Sequence, residues 1–409
     1  MRIAILRRAP QVSVSMDVYA DRLVQGLKAV RPDWTILECY PQFQERGGAS
    51  SKALAGIQKY YERYWCYPNR LKRLDADIFH IIDHTDGDIS RWLGRSHSAT
   101  VVTCHDLINL IKPETFKGRA KFPLISMAAW RWGVESMRHA DHIVTVSTHT
   151  KQDVIEHLEI APAAITVVPN AVDKVFHRLP ADAIQAVRDR YGLTPETFCL
   201  LNVGSNNARK NISGILAAVA AAKHQGLPVH FWKAGADFTD EQAQFIQANG
   251  LADCVAYVGK PSEPSLIELY NAADCLMAPS SYEGFGLTIL EAMACGTPVI
   301  TASVSAMPEV AGDAAILVDP TNQAEITDAI HQLFNHPEQR QALIQKGLER
   351  VQQFTWEKTA QAVASVYEQT LSSKTASTQS STKFEMMPQP DQGDKSDSLS
   401  PSISSGDRA

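Results

Sequence analysis

Two glutamates eight positions apart, Glu283 and Glu291, bracket a Gly284-Phe285-Gly286 turn. An apolar run, Cys275-Leu276-Met277-Ala278-Pro279, leads into it, and a short helical pattern follows as far as Gly296-Thr297-Pro298. A glycine turn that opens a helix after a strand leaves backbone N–H groups without intrahelical partners. The helix dipole favours an anion there. One carboxylate lies in the loop and the other about a turn into the helix. That arrangement suits a ligand with both phosphate and hydroxyl groups, such as a nucleotide sugar.

A second constellation follows an apolar strand in Val203-Gly204-Ser205-Asn206-Asn207-Ala208-Arg209-Lys210-Asn211 and runs into a helical pattern. Two cations at a helix N-terminus oppose the dipole at a cost of a few tenths to about 1 kcal/mol each. A bound diphosphate reverses that sign, and Arg209 or Lys210 would then neutralise it. The ordinary alternative is a solvated basic turn. Glu291 sits among Leu290, Ala292, Met293 and Ala294, so it reads as a buried carboxylate that needs partners rather than an exposed helix glutamate. Ribose hydroxyls would supply them. Glu283, just before the turn, reads as a ligand contact or a simple loop acid.

In the first half, Thr100-Val101-Val102-Thr103-Cys104 reads as a strand with His105 and Asp106 at its carboxyl end. Ligands of open α/β sheets bind outside those ends, so His105 faces the cleft or serves as a structural loop histidine. Residues 57–73 mix aromatics with Lys and Arg, as in Tyr60-Tyr61-Glu62-Arg63-Tyr64-Trp65. Such a helix can lie at a lipid interface; the alternative is aromatic packing beside a solvated basic face. A weaker mixture runs from Lys117 to Phe122.

These residues must be held by regular elements. Apolar, β-branched runs predict strands near 2–6, 35–40, 78–82, 100–104, 142–147 and 165–169. A second set falls near 198–203, 230–234, 255–259, 275–280, 298–302 and 315–319. Helical patterns lie near 14–30, 120–139, 211–224, 264–272 and 323–334. Continuous apolar strands alternating with helices imply parallel sheets covered on both faces. Six strands and then six more imply an α/β chain of two doubly wound domains. The region from Asn170 to Thr197 reads as a linker with a helix near 181–191. A last helix over 355–372 carries Trp356, Ala360, Val363, Tyr367 and Leu371 on one face. Beyond it, the Ser/Thr/Pro/Gln-rich 373–409 is expected to be a disordered tail.

With 409 residues, 44% hydrophobic and 21% charged, the chain can bury a large core. A net charge of −6 gives no basic field for nucleic acid. The seven cysteines form no CxxC pairs and read as reduced, buried thiols of a cytoplasmic protein, with no zinc site. The apolar run at the N-terminus is too short for a signal peptide, and no window is long enough for a spanning helix.

Taken together, these residues resemble the family-4 glycosyltransferases of the group 1 type, retaining enzymes of the GT-B fold. The resemblance covers roughly residues 1–372. It is carried by Glu283 and Glu291 around the Gly-Phe-Gly turn. Supporting matches are Ala140-Asp141 through Ser147, Val167 through Asp173, Arg209-Lys210-Asn211 and Thr103-Cys104-His105-Asp106. It implies two Rossmann-like domains facing across a cleft. The first, 1–180, lies on the acceptor side and receives the 355–372 helix; the second, 181–354, holds the nucleotide sugar.

The activity implied is transfer of a hexose from a GDP- or UDP-linked donor to a hydroxyl of a glycan, glycolipid or small-molecule acceptor in cell-envelope biosynthesis. No cofactor or metal is implied. The resemblance assigns Glu291 to the ribose, Glu283 to the transferred sugar, and Arg209 and Lys210 to the diphosphate. The backbone of Gly204, Phe285, Gly286 and Leu287 goes to donor phosphates and sugar, and His105 to the neighbourhood of the anomeric carbon. Partners are then a nucleotide-sugar donor, a glycan or lipid-linked acceptor, and a peripheral membrane contact through 57–73 at the inner face of the membrane.

Three positions depart from the family pattern. There is no Gly-Gly turn in Gln11–Asp17, Ser205 stands where many members have arginine, and the late turn reads Ser305-Ala306-Met307-Pro308-Glu309. The competing readings are a sugar-nucleotide epimerase, a dinucleotide enzyme and a catalytically degenerate sugar-nucleotide-binding protein. No Gly-x-Gly-x-x-Gly follows the first strand, against the dinucleotide reading. A degenerate protein would normally lose Glu291 or Lys210, and both are present.

Overall fold

The computed structural model describes residues 1–9, 14–42, 58, 60–93, 98–113 and 123–385. Its strands form two separate six-stranded sheets, every ladder parallel. The first sheet has the order β2-β1-β3-β4-β5-β6. Its strands are β1 Arg2–Leu6, β2 Thr35–Cys39, β3 Ile78–Ile81, β4 Ala99–Cys104, β5 His142–Thr145 and β6 Ile165–Val167. The second has the order β12-β11-β10-β7-β8-β9. It comprises β7 Phe198–Gly204, β8 Val229–Gly235, β9 Val255–Tyr257, β10 Cys275–Ala278, β11 Val299–Ala302 and β12 Ile316–Val318. β3, β4 and β11 are buried along their whole length, the property that makes their sequences largely apolar rather than alternating, with His80, Thr100, Thr103 and Thr301 as buried polar exceptions.

In each sheet the strand order reverses at one place, between β1 and β3 and between β7 and β10. The loops leaving those strands diverge and open a crevice at their carboxyl ends. The turn after β7 carries Arg209 and Lys210, and the loop after β10 carries Glu283.

The final helix, Trp356–Glu385, packs on the first sheet's side, where Ala360, Val363, Ala364 and Tyr367 share a core with Ile3, Ile5 and Leu23. Gly26 of the Val14–Val30 helix permits this, since a Cβ there would stand 2.8 Å from Ala360 Cβ. The helix does not stop at 372. The stretch that follows contains neither Gly nor Pro before Glu385, so nothing breaks the hydrogen-bond ladder. Lys374 Nζ donates to Ser98 O at 2.8 Å and pairs with Asp141 at 2.8 Å. The expectation of a disordered tail from 373 is therefore corrected over 373–385; residues 386–409 lie outside the described residues.

All twelve expected strands are present, several ending one or two residues early. The expected strand 142–147 ends at Thr145 because Ser147 turns away to cap the helix Thr148–Leu158, its hydroxyl accepting from Thr150 N. That helix and those at Asp240–Ala248 and Pro337–Arg350 lie outside the helical patterns named above. The last two bury only one side chain each, Ile246 and Leu343, too few to leave a strong apolar repeat, and the buried face of Thr148–Leu158 includes polar Thr150 and Asp153. In the aromatic segment, Glu62–Cys66 forms a π-helical turn followed by the helix Tyr67–Leu71. Residues 57 and 59, the Lys117–Phe122 mixture and residues 11–13 lie outside the described residues.

Candidate active site

The turn after β7 begins at Gly204, whose φ of +140 disfavours any residue with a Cβ. Asn207 caps a single 3₁₀ turn, Ala208–Lys210, by accepting from Arg209 N at 3.1 Å. Asn211 then adopts the left-handed conformation and leads into the helix Ile212–His224. This geometry turns both cations toward the loop after β10. Arg209 Nη1 donates to Tyr282 O at 3.0 Å, and Ser281 N donates to Arg209 O at 2.7 Å.

Glu283 is the meeting point. Arg209 Nη1 stands 2.5 Å from one carboxylate oxygen and Lys210 Nζ 2.6 Å from the other. Burial alone would raise the Glu283 carboxyl pKa; the Lys210 and Arg209 charges outweigh it and hold it below the usual range. The three expected residues thus form one compact charged cluster. In this arrangement Glu283 neutralises both cations.

Glu291 lies on the helix Leu287–Ala294 and accepts a hydrogen bond from Tyr270 Oη at 2.7 Å. Burial raises its pKa to about 7; the Tyr270 bond and the Lys210 charge oppose that rise. Tyr270 is fully buried, and its partnership with Glu291 was not part of the sequence reading. Of the remaining turn residues, Phe285 packs inward, edge-on to Phe354 with centroids 5.9 Å apart. Gly286 has φ +103 and starts the helix, while the Leu287 side chain is exposed.

The first glycine of the turn has a different reason. A Cβ on Gly284 would stand 1.9 Å from His105 O and 2.9 Å from Asp106 Cβ. Gly284 is therefore one place where the two domains touch, and only hydrogen fits there. Its carbonyl accepts from Ser147 Oγ at 2.7 Å and Thr150 Oγ1 at 3.1 Å. Next to it, Tyr282 Oη donates to Asp153 Oδ2 at 2.5 Å. Glu309 of the departing late turn reaches across and accepts from Thr148 N at 2.8 Å and Thr148 Oγ1 at 2.9 Å. That carboxylate at a helix N-terminus satisfies both an orphan donor and the helix dipole. The sequence named Ser147 and Glu309 only as motif positions; their pairing across the cleft was not legible there.

His105 lies at this contact through its backbone. Its ring Nε2–H donates to Ile82 O at 2.9 Å, and Tyr19 meets it edge-on at 4.8 Å. Burial lowers its pKa, with Asp83 partly opposing, so the ring is neutral at pH 7.

Beyond it, the loop after β3 gathers charges the sequence reading overlooked. Arg8 pairs with Asp83 at 3.2 Å, and Arg63 pairs with Asp86 and donates to Thr85 O at 3.2 Å. Asp88, also buried, has its pKa raised to about 7 by burial and by Asp86.

Comparison with known proteins agrees with this architecture on both halves. Residues 18–175 match the description "Glycosyltransferase Family 4" and residues 184–350 match "Glycosyl transferases group 1". The chain is 30% identical over 274 residues to the O-antigen chain mannosyltransferase B of Escherichia coli, covering 65% of this chain and 69% of that one. The chain belongs to the group 1, family-4 glycosyltransferases.

Glycosyl transfer is the activity these matches support. A D-inositol 3-phosphate glycosyltransferase of Acidothermus cellulolyticus is 31% identical over 253 residues, with 59% of this chain and 56% of that one covered. The serotype-specific mannosyltransferase WbdA of Escherichia coli is 29% identical over 268 residues; the match covers 64% of this chain and 32% of that longer one. Among solved structures, HepE of Anabaena in complex with UDP superposes with a TM-score of 0.71 at 17% identity, covering 90% and 100% of the two chains. Sucrose-phosphate synthase of Thermosynechococcus elongatus gives 0.69 at 20% identity, covering 91% and 100%. The fold of the family-4 transferase described here is accordingly GT-B. Among the described residues no cluster of potential metal ligands occurs, and no helix is long and apolar enough to cross a membrane.

Proposed function

We propose that this family-4 transferase moves a hexose, with retention of configuration, from a GDP- or UDP-linked donor to a hydroxyl of a glycan, glycolipid or small-molecule acceptor. The observation that carries the reading is the Arg209–Lys210–Glu283 cluster facing His105 and Asp106 across the Gly284 contact. Arg209 and Lys210 hold the diphosphate and stabilise the charge that develops on it as it leaves. Glu283, released from part of that pairing, orients the transferred sugar, and ionised Glu291 accepts from the ribose hydroxyls. The backbone of Gly204 and of Phe285–Leu287 lines the phosphates.

No carboxylate is assigned the part of a nucleophile. The bond from the anomeric carbon to the phosphate oxygen breaks, and a bond to the acceptor oxygen forms on the same face. The acceptor proton passes to the departing phosphate oxygen. His105, neutral and tied to Ile82, enters as a positioning group beside the anomeric carbon rather than as a proton carrier. With the charge handled by side chains, turnover is expected to persist in excess chelator. The mannosyltransferase names of two relatives make GDP-mannose the first donor to try.

The test is calorimetric or thermal-shift binding of UDP-, GDP- and ADP-hexoses, with Glu291→Ala alongside. One selective donor, lost in the variant and transferred with its anomeric configuration kept, supports the reading. No binding by any donor, with or without acceptor, refutes it.

Peripheral contact with the inner face of the membrane belongs to the same proposal. Tyr60, Tyr61 and Trp65 are exposed, as is Trp132, whose ring lies 5.8 Å from Tyr64. Arg63 and Arg70 are already paired with Asp86 and Glu62, so aromatic insertion rather than charge would carry the attachment. Failure to float with anionic vesicles at low salt would remove this part.

A further inference from the structure

β8 is a largely buried strand that carries a lysine in its buried stretch. Lys233 is completely buried between Trp232 and Ala234. Its Nζ donates to Gly204 O and to Ala234 O, each at 2.9 Å. An ammonium has three N–H donors, and among the described residues the third has no protein acceptor and no carboxylate pairs with the group. Burying a charge without a partner is costly.

The two strands are shaped around this side chain. Gly204 pairs with Gly235 in the sheet, and their φ values are +140 and +101. A Cβ on Gly235 would stand 2.4 Å from Gly204 O, so glycine is what allows that carbonyl to tip toward Lys233. On its other side, Gly204 faces Lys210, whose Cε would lie 3.4 Å from an added Cβ. One peptide of the phosphate turn is thus flanked by two ammonium groups. Burial, and then the Lys210 charge, lowers the Lys233 pKa to about 8. Asp237 opposes that lowering, and Lys210 is itself paired with Glu283, so a bound anion that shares that pairing would draw on both ammonium groups.

We propose that Lys233 is a positioning residue of the donor site, pinning the Gly204 turn from beneath and adding a third positive charge to the field that binds the diphosphate group. This rests on the reading of residues 204–210 as the phosphate turn. A lysine that merely satisfied two carbonyls would affect all ligands alike. One that acts on the diphosphate discriminates between ligands with and without it.

The experiment compares wild type with Lys233→Met, an uncharged side chain of similar length. Binding of guanosine, uridine, GDP, UDP and inorganic pyrophosphate is measured by calorimetry. The variant is expected to bind the nucleosides as wild type does. Its affinity for the nucleoside diphosphates falls about 10- to 100-fold, and pyrophosphate binding is lost. In turnover, the donor KM rises while the acceptor KM stays put. Equal losses for nucleoside and diphosphate, or no loss for either, overturn the proposal. Should the methionine variant not fold, Lys233→Gln, which keeps an N–H for Gly204 but no charge, gives the same comparison. A wild-type protein that binds a nucleotide sugar while Lys233→Met does so equally well refutes the Lys233 assignment alone. A wild type that binds neither GDP nor UDP refutes the functional reading and this assignment with it.

Discussion

Replacing Tyr270 by Phe isolates one hydrogen bond in the proposed donor site. Tyr270 is fully buried, and Phe keeps its edge-on contact with Phe176 at 6.0 Å between centroids. What is lost is the 2.7 Å bond from the phenol to Glu291. That bond favours the ionised carboxylate, against the burial that has raised its pKa to about 7. A hydrogen bond to a charged group contributes about 1.5–3 kcal/mol, which corresponds to about one to two pH units.

If ionised Glu291 is what grips the ribose, wild-type affinity for a nucleotide sugar rises with pH through about 7. The variant's midpoint moves up by about one unit. At pH 7 the wild-type carboxyl is half ionised and the variant's about a tenth, so affinity drops about five-fold; by pH 9 the difference closes. The assay is calorimetry between pH 6 and 9, repeated in buffers of different ionisation enthalpy to count the protons released. A nucleotide sugar is the right probe because its diphosphate diester does not titrate in this range. A variant midpoint that is not displaced upward from that of wild type would refute the assignment of Glu291; the Lys233 ammonium, its pKa lowered to about 8, titrates in both proteins and leaves that difference intact.

The same carboxyl makes a statement about stability. Its folded pKa lies above the ordinary 4.5, so the folded state holds the proton longer than the unfolded chain. Stability from this group is present below about pH 4.5 and is lost as pH rises through about 7, up to about 3 kcal/mol. Glu291→Gln is therefore expected to be more stable than wild type at pH 8 and nearly equal at pH 5, by urea unfolding; equal destabilisation at both pH values would contradict this. Gly284→Ala places a methyl into His105 O and should separate the domains, lowering turnover more than 100-fold while each domain stays folded by circular dichroism. Lys210→Ala should cut turnover about 100- to 1000-fold at saturating donor; wild-type rates would remove it from the site. Truncation after Glu385 should leave the melting temperature unchanged, whereas truncation after Ser372 deletes Lys374 and its bonds to Ser98 and Asp141 and should lower it measurably.

Much of this was open to a reader of the sequence alone. Parallel strands buried on both faces are largely apolar rather than alternating, so strands such as β4 and β11 announce themselves without any partner in view. Glu283, Glu291, Arg209 and Lys210 stand out for a related reason: charge in or beside an apolar run needs compensation, and their spacing from glycine turns suggests what provides it. Local periodicity also sets a limit. It ended the last helix at 372, where the apolar face fades, although no breaker follows before Glu385.

Only the tertiary structure decided which distant groups meet. Tyr270 and Glu291 are 21 positions apart, Lys233 and Gly204 are 29 apart, and Thr148 and Glu309 are 161 apart. The first two pairs depend on strand order within the second domain and the third on how one domain seats against the other, and neither leaves a repeat in the chain. Gly284 shows the difference most plainly. Its type was legible as a turn signal, but the need for it comes from the His105 carbonyl of the other domain, which leaves no room for a Cβ.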